Sequence, residues 1–164
     1  MAIPNASIVA GYTLQVPAAS YVTETDLPPQ SLSFRLVSAP ASAVIDPTSG
    51  LFTWRPLLAQ AGIITSVRLA ATDNGNPSLS ATQRFWVTVT SPAQPSFGTS
   101  GLSNGLLATL IYGDAGPDYA IWGSTNLADW VPVATNYSAT PPLVFTDPYA
   151  TNFGQRFYRV RLGP

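Results

Sequence analysis

Ala81-Thr82-Gln83-Arg84-Phe85-Trp86-Val87-Thr88-Val89-Thr90 is the stretch on which the fold turns. Successive side chains of an extended strand point to opposite faces, so Phe85, Val87 and Val89 share one side, and Arg84, Trp86 and Thr88 share the other. Upstream, Ile63 to Thr72 shows the same period of two. The turn formers Asp73-Asn74-Gly75-Asn76-Pro77 separate the two runs, which therefore read as neighbouring strands. Working outward, strands are expected at Tyr12 to Val16, Leu32 to Val37 and Leu51 to Trp54. Asp26-Leu27-Pro28-Pro29 and Asp46-Pro47-Thr48-Ser49-Gly50 serve as turns between them. Beyond residue 100, Leu106 to Tyr112, Tyr119 to Ser124, Trp130 to Thr135, Leu143 to Thr146 and Gln155 to Leu162 read as five more. No segment keeps the i, i+3, i+4, i+7 spacing of an amphipathic helix over three turns, so the chain is all-β.

Ser91-Pro92-Ala93-Gln94-Pro95 breaks the alternation with two prolines, which lack the N–H that a ladder needs. The expected division is a β-sandwich over residues 1–91, a linker over 92–98 and a smaller five-stranded β-sandwich module over 99–164.

Composition excludes whole classes of chemistry. The 164 residues contain no His and no Cys, all 7 basic residues are Arg, and Glu24 is the single Glu. Thiol and Ser-His nucleophiles, imidazole and thiolate metal sites and a Schiff-base lysine are all absent. A net charge of -1 without a basic stripe gives phosphate backbones nothing to approach, so no nucleic-acid partner is expected. The apolar runs are strand-sized, far below the roughly 20 residues of a membrane span. A surface nearly free of Lys and Glu suits an extracellular or cell-surface protein. Met1-Ala2-Ile3-Pro4 shows no signal peptide, so the chain is either cytoplasmic or a piece of a longer secreted one, and this composition favours the second.

Three blocks carry a resemblance in the first half: Leu32-Ser33-Phe34-Arg35-Leu36, then Ile45 through Pro56, then Ala71 through Ser80 running into Phe85-Trp86-Val87-Thr88-Val89. Over residues 3–90 the sequence resembles bacterial cadherin-like and Ig-like domains, which implies a seven-strand Greek-key sandwich with a structural or adhesive role. In the second half Tyr119-Ala120-Ile121, Ser124-Thr125-Asn126-Leu127-Ala128-Asp129-Trp130, Phe145-Thr146-Asp147-Pro148 and Arg156-Phe157-Tyr158-Arg159-Val160 stand out. These resemble the small β modules that close large secreted proteins of environmental bacteria, which places Pro164 near a C-terminus.

The first resemblance implies calcium as the one candidate cofactor, with Glu24, Asp26, Asp73 and Asn74 as ligands in loops at one end of the sandwich. The acidic motifs expected elsewhere are replaced by Pro56-Leu57-Leu58-Ala59-Gln60 and by Ser91 to Pro95. Turn-capping by these carboxylates is therefore the favoured reading, with no cofactor. On an extended segment Glu24 and Asp26 would lie about 7 Å apart, but beside Pro28 and Pro29 neither is desolvated as a catalytic acid must be. Asp114 and Asp118 read the same way, so no enzyme is expected. Trp86 and Trp122 fall on the outward phase of their strands. They serve either to pack one unit against the other or, with Tyr137 and Tyr149, as platforms for a sugar. Arg159 and Arg161 share a face of the last strand, where they form an anion site or, as the favoured reading, guard an edge.

The function expected is a non-catalytic structural, adhesion or anchoring module, with neighbouring domains of the parent chain as partners. The alternative is a carbohydrate-binding accessory module, with a polysaccharide or another cell-surface protein as partner.

Overall fold

A computed structural model describes residues 1–26, 28–103 and 106–163. Leu27 and Pro164, used in the reading above, lie outside them. The chain forms two compact units, Met1–Thr90 and Ser91–Pro164.

Among the described residues the first unit has seven strands: β1 (Ala6–Val9), β2 (Leu14–Pro17), β3 (Leu32–Ser38), β4 (Val44–Ile45), β5 (Leu51–Trp54), β6 (Ile64–Asp73) and β7 (Ser80–Thr90). One sheet runs β1-β7-β6-β3 and the other β2-β5-β4. The chain changes sheet between β1 and β2, β2 and β3, β3 and β4, and β5 and β6, giving the Greek-key sandwich of the Ig and cadherin-like type. β1 runs parallel to β7, with Ala6 opposite Val87 and Val9 opposite Thr90, whereas β7, β6 and β3 are mutually antiparallel. The alternation in β7 holds: Phe85, Val87 and Val89 are buried, while Trp86 is 43% exposed. They meet Val16 of β2 and Phe52 and Trp54 of β5 in one core, where Phe52 and Phe85 pack edge to face across the sheets, ring centres 5.6 Å apart.

The Asp46-to-Gly50 turn between β4 and β5 is held by its own side chains. Asp46 Oδ1 accepts hydrogen bonds from Thr48 N (3.0 Å), Ser49 N (2.7 Å) and Ser49 Oγ (2.9 Å). The Ser49 N–H first, then the Ser49 hydroxyl and the Thr48 N–H, hold this carboxyl below the usual aspartate range. Gly50 closes the turn at φ +67°, where a Cβ would stand 3.0 Å from the Phe34 ring and 3.1 Å from Ala19 N. Gly50→Ala is therefore expected to cost about 1–3 kcal/mol, seen as a lower melting temperature of the first unit.

The second unit contains β8 (Ser96–Ser103), β9 (Leu106–Tyr112), β10 (Tyr119–Ser124), β11 (Val131–Asn136), β12 (Leu143–Thr146) and β13 (Phe157–Leu162). Its sheets run β12-β9-β8 and β11-β10-β13. Ile111, Ile121 and Phe145 form the core, and Phe145 meets Tyr158 at 5.7 Å between ring centres to join the sheets. The module has six strands among the described residues, not five: β8 begins at Ser96, within the stretch read as linker. Its glycines hide it in the sequence, and Gly98 is needed because the Tyr112 ring of β9 lies where a Cβ would stand.

Candidate functional site

Glu24 and Asp26 lie on the segment leading into β3, and Asp73 ends β6. The fold brings one oxygen from each of these three carboxylates within 4.8 Å of the others. Each carboxylate is engaged locally: Glu24 Oε1 accepts from Asp26 N (2.8 Å), Asp26 Oδ2 from Gln30 Nε2 (3.0 Å), and Asp73 Oδ1 from Gly75 N (3.0 Å) and Leu79 N (2.8 Å). Asn74 turns its Oδ1 to Ser31 N at 3.0 Å, away from this task. A depression of about 170 Å³ adjoins Glu24 and Asp73, and one of about 260 Å³ lies beside Met1, Tyr21 and Gln83. Both are smaller than the roughly 300–1,000 Å³ of an enclosing ligand pocket.

The aromatic candidates separate. Trp86 stands on the outward side of β7, with the Arg84 guanidinium carbon 5.4 Å from its ring centre. Trp122 is half-buried: it sits opposite Arg159 in the β10–β13 register, and that guanidinium lies 5.5 Å from Trp122 and 4.2 Å from Trp130. Arg159 thus holds two indoles on the outward side of the second unit's sheet, on its edge strand β13. Tyr137 and Tyr149 are 76% and 64% exposed. Trp54 is fully buried and donates from Nε1 to Ala41 O at 3.2 Å.

The Ser124-to-Trp130 block is a self-locking turn. Asn126 Oδ1 accepts from Ala128 N (3.0 Å) and Asp129 N (2.8 Å), its Nδ2 donates to Asp129 Oδ2 (2.7 Å), and Trp130 Nε1 donates to Leu127 O (3.0 Å). Asp114 and Asp118 also accept backbone N–H groups. Asp114 Oδ2 accepts from Ala93 N at 2.6 Å, and Asp118 Oδ1 from Ser138 N at 2.7 Å.

Sequence reasoning missed a buried electrostatic cluster in the second unit. Asp147 has no solvent exposure and pairs through Oδ2 with Arg156 Nη1 at 2.6 Å. The same oxygen accepts from the Tyr158 hydroxyl at 2.8 Å, and Oδ1 accepts from Tyr149 N at 2.9 Å. Arg156 is covered by the Phe153 ring at 4.4 Å. All of these residues except Phe153 and Tyr149 stand within quoted sequence blocks, but nothing in a linear reading pairs residue 147 with residue 156.

Burial, then the hydrogen bond to Asp147, pushes Tyr158 up to about 12. The native state keeps that proton at pH values where the unfolded chain, titrating near 10, has lost it. The stabilisation is thus present below pH 10 and lost as pH rises from 10 towards 12. Melting curves of the second unit are expected to shift down over that range, and Tyr158→Phe to flatten the dependence.

No family model matches the sequence, and no curated protein does either. Among solved structures, the chain is similar to the Sidekick-1 immunoglobulin domains 1–5, with 12% identity and TM-score 0.47, over 98% of this chain and 35% of that one. It is similar to protocadherin gammaB7 EC3-6, with 9% identity and TM-score 0.39, over 97% of this chain and 46% of that one. A third likeness, at 22% identity and TM-score 0.42, is to a nucleoside hydrolase-related hypothetical protein from Saccharophagus degradans associated with carbohydrate metabolism; it covers 54% of this chain and 22% of that one. The chain spans less than half the length of each. At these identities the likeness concerns the fold alone, and the strand order of Met1–Thr90 is itself that of an Ig and cadherin-like sandwich.

Proposed function

We propose that the chain is a non-catalytic adhesion or anchoring module, one link of a longer extracellular protein. The observation that carries this reading is the direction of β1. Met1 to Val9 runs alongside Gln83 to Thr90 and parallel to it: Gln83 Nε2 donates to Met1 O (2.9 Å), Asn5 Oδ1 accepts from Trp86 N (2.9 Å), and Val9 faces Thr90. The backbone therefore enters the first unit at one end and leaves about 23 Å further along, as a link in a string requires. The carboxylates of Glu24, Asp26 and Asp73 close the loops at the first of these ends and serve no reaction.

The test is turnover. The whole chain, incubated with a panel of polysaccharides and chromogenic glycosides, is expected to release no more product than buffer does. Release that disappears in Glu24→Gln or Asp26→Asn would overturn the reading.

Because Glu24 and Asp73 already accept backbone N–H bonds and Asp26 accepts one from the Gln30 side-chain amide, millimolar calcium followed by chelator is expected to leave the melting temperature of the first unit unchanged. A rise with calcium that Asp73→Asn abolishes would instead make the trio a calcium site.

A further inference from the structure

The outward side of the β1-β7-β6-β3 sheet carries positive charge with nothing to balance it. Register places Arg68 of β6 directly opposite Arg84 of β7, and sets Arg35 of β3 opposite Ala70 of β6. All three arginines are exposed, and Trp86 stands two residues beyond Arg84 on the same side. Ala70 is only 1% exposed although it lies on the outward phase of β6. The four carboxylates of this unit lie elsewhere: Glu24 and Asp26 before β3, Asp46 in the β4–β5 turn, and Asp73 on the opposite phase of β6. Among the described residues, none of the three guanidinium groups is paired with a carboxylate. Like charges facing each other across strands weaken a sheet, so the arrangement does not serve folding.

We propose that this face binds a carboxylate-bearing polysaccharide, a polyuronate, with Arg35, Arg68 and Arg84 engaging successive acid groups and Trp86 lying against a sugar ring. The proposal goes beyond the structural role above. Arg68 and Arg84 stand about 5 Å apart across the ladder and Arg35 lies diagonally about 7–8 Å from Arg68, so the guanidinium forks present a row of cations to carboxylates displayed along a polymer. A flat face suits a chain; a small ligand needs a cavity. Ser66 and Thr88, on the same side, add hydroxyls to meet those of a sugar. A duplex nucleic acid would ask for more, since such binders commonly make about 6–10 phosphate contacts, and this face offers three arginines.

Electrophoresis of the whole chain through gels containing polygalacturonate, neutral dextran or duplex DNA tests the proposal. Polygalacturonate is expected to retard the chain at about 50 mM salt and much less at about 500 mM, while dextran leaves it unretarded. Trp86→Ala and Arg68→Gln should each weaken retardation about fivefold or more, and the triple Arg35→Gln, Arg68→Gln, Arg84→Gln variant should abolish it, with melting curves confirming that the variants are folded. Arg68→Lys, which keeps the charge and loses the fork, should bind more weakly than the natural chain, and Val144→Ala, an exposed position of the second unit, should bind normally. The proposal is overturned by no retardation in polygalacturonate, by equal retardation in dextran, by stronger retardation in DNA, by a folded triple variant that still binds, or by Arg68→Lys binding as the natural chain does.

Discussion

Asp147→Ala is expected to unfold the second unit at ordinary temperature while leaving Met1–Thr90 folded. The substitution leaves the Arg156 guanidinium beneath the Phe153 ring without its 2.6 Å partner, and strips the Tyr158 hydroxyl and the Tyr149 N–H of their acceptor. Breaking one side of a buried ion pair costs about 3–5 kcal/mol, because the remaining charge stays desolvated. A core as small as Ile111, Ile121 and Phe145 with their neighbours seldom provides more than about 3–5 kcal/mol, so the loss equals the whole margin. Near-ultraviolet circular dichroism of the second unit's aromatic residues reads the outcome. The double variant Asp147→Leu with Arg156→Met should lose less than the sum of its parts, since no charge is left stranded. An Asp147→Ala protein melting within a degree or two of the natural one would show that the cluster contributes little.

Trp54→Ala should have an effect of similar size in the first unit. Its indole is fully buried among Phe52, Val87 and their neighbours, and truncating such a side chain costs about 3–5 kcal/mol through lost transfer energy and the cavity left behind. The Nε1 hydrogen bond to Ala41 O is also lost, leaving that carbonyl to seek water. Trp54→Phe keeps much of the volume and should cost clearly less. Chemical denaturation followed by tryptophan fluorescence distinguishes the two, since Trp54 is the one indole of the four with no exposure.

What could be read from the sequence follows strand length and side-chain contrast. β6 and β7, ten and eleven residues long with alternating faces, were legible almost to their ends, and so were β3, β5, β9, β10 and β12. The strands that escaped notice are β1, β4 and β8. β1 is four residues, Ala6-Ser7-Ile8-Val9, and owes its place to pairing with β7. β4 is two residues, too short for any periodicity, and β8 is a glycine- and serine-rich edge whose partner supplies the order. The sites divide similarly. Outward phase marked Trp86 correctly, but the same argument could not show that Arg159 overlies Trp122, since that contact joins two strands far apart in the chain. The three arginines around Ala70 come from β3, β6 and β7, and only the register of the sheet reveals that they share a face.

The parallel alignment of β1 with β7 has a mechanical corollary. Tension drawn through the two ends of Met1–Thr90 acts along the strands that join them, so the Ala6–Val87 to Val9–Thr90 rungs are loaded in shear and must give way together. A hairpin pulled from its open end unzips one rung at a time and yields at low force. Resistance to stretching is set by the rate of rupture and not by equilibrium stability, so a short parallel seam makes this unit stiff in the direction in which a tether is pulled.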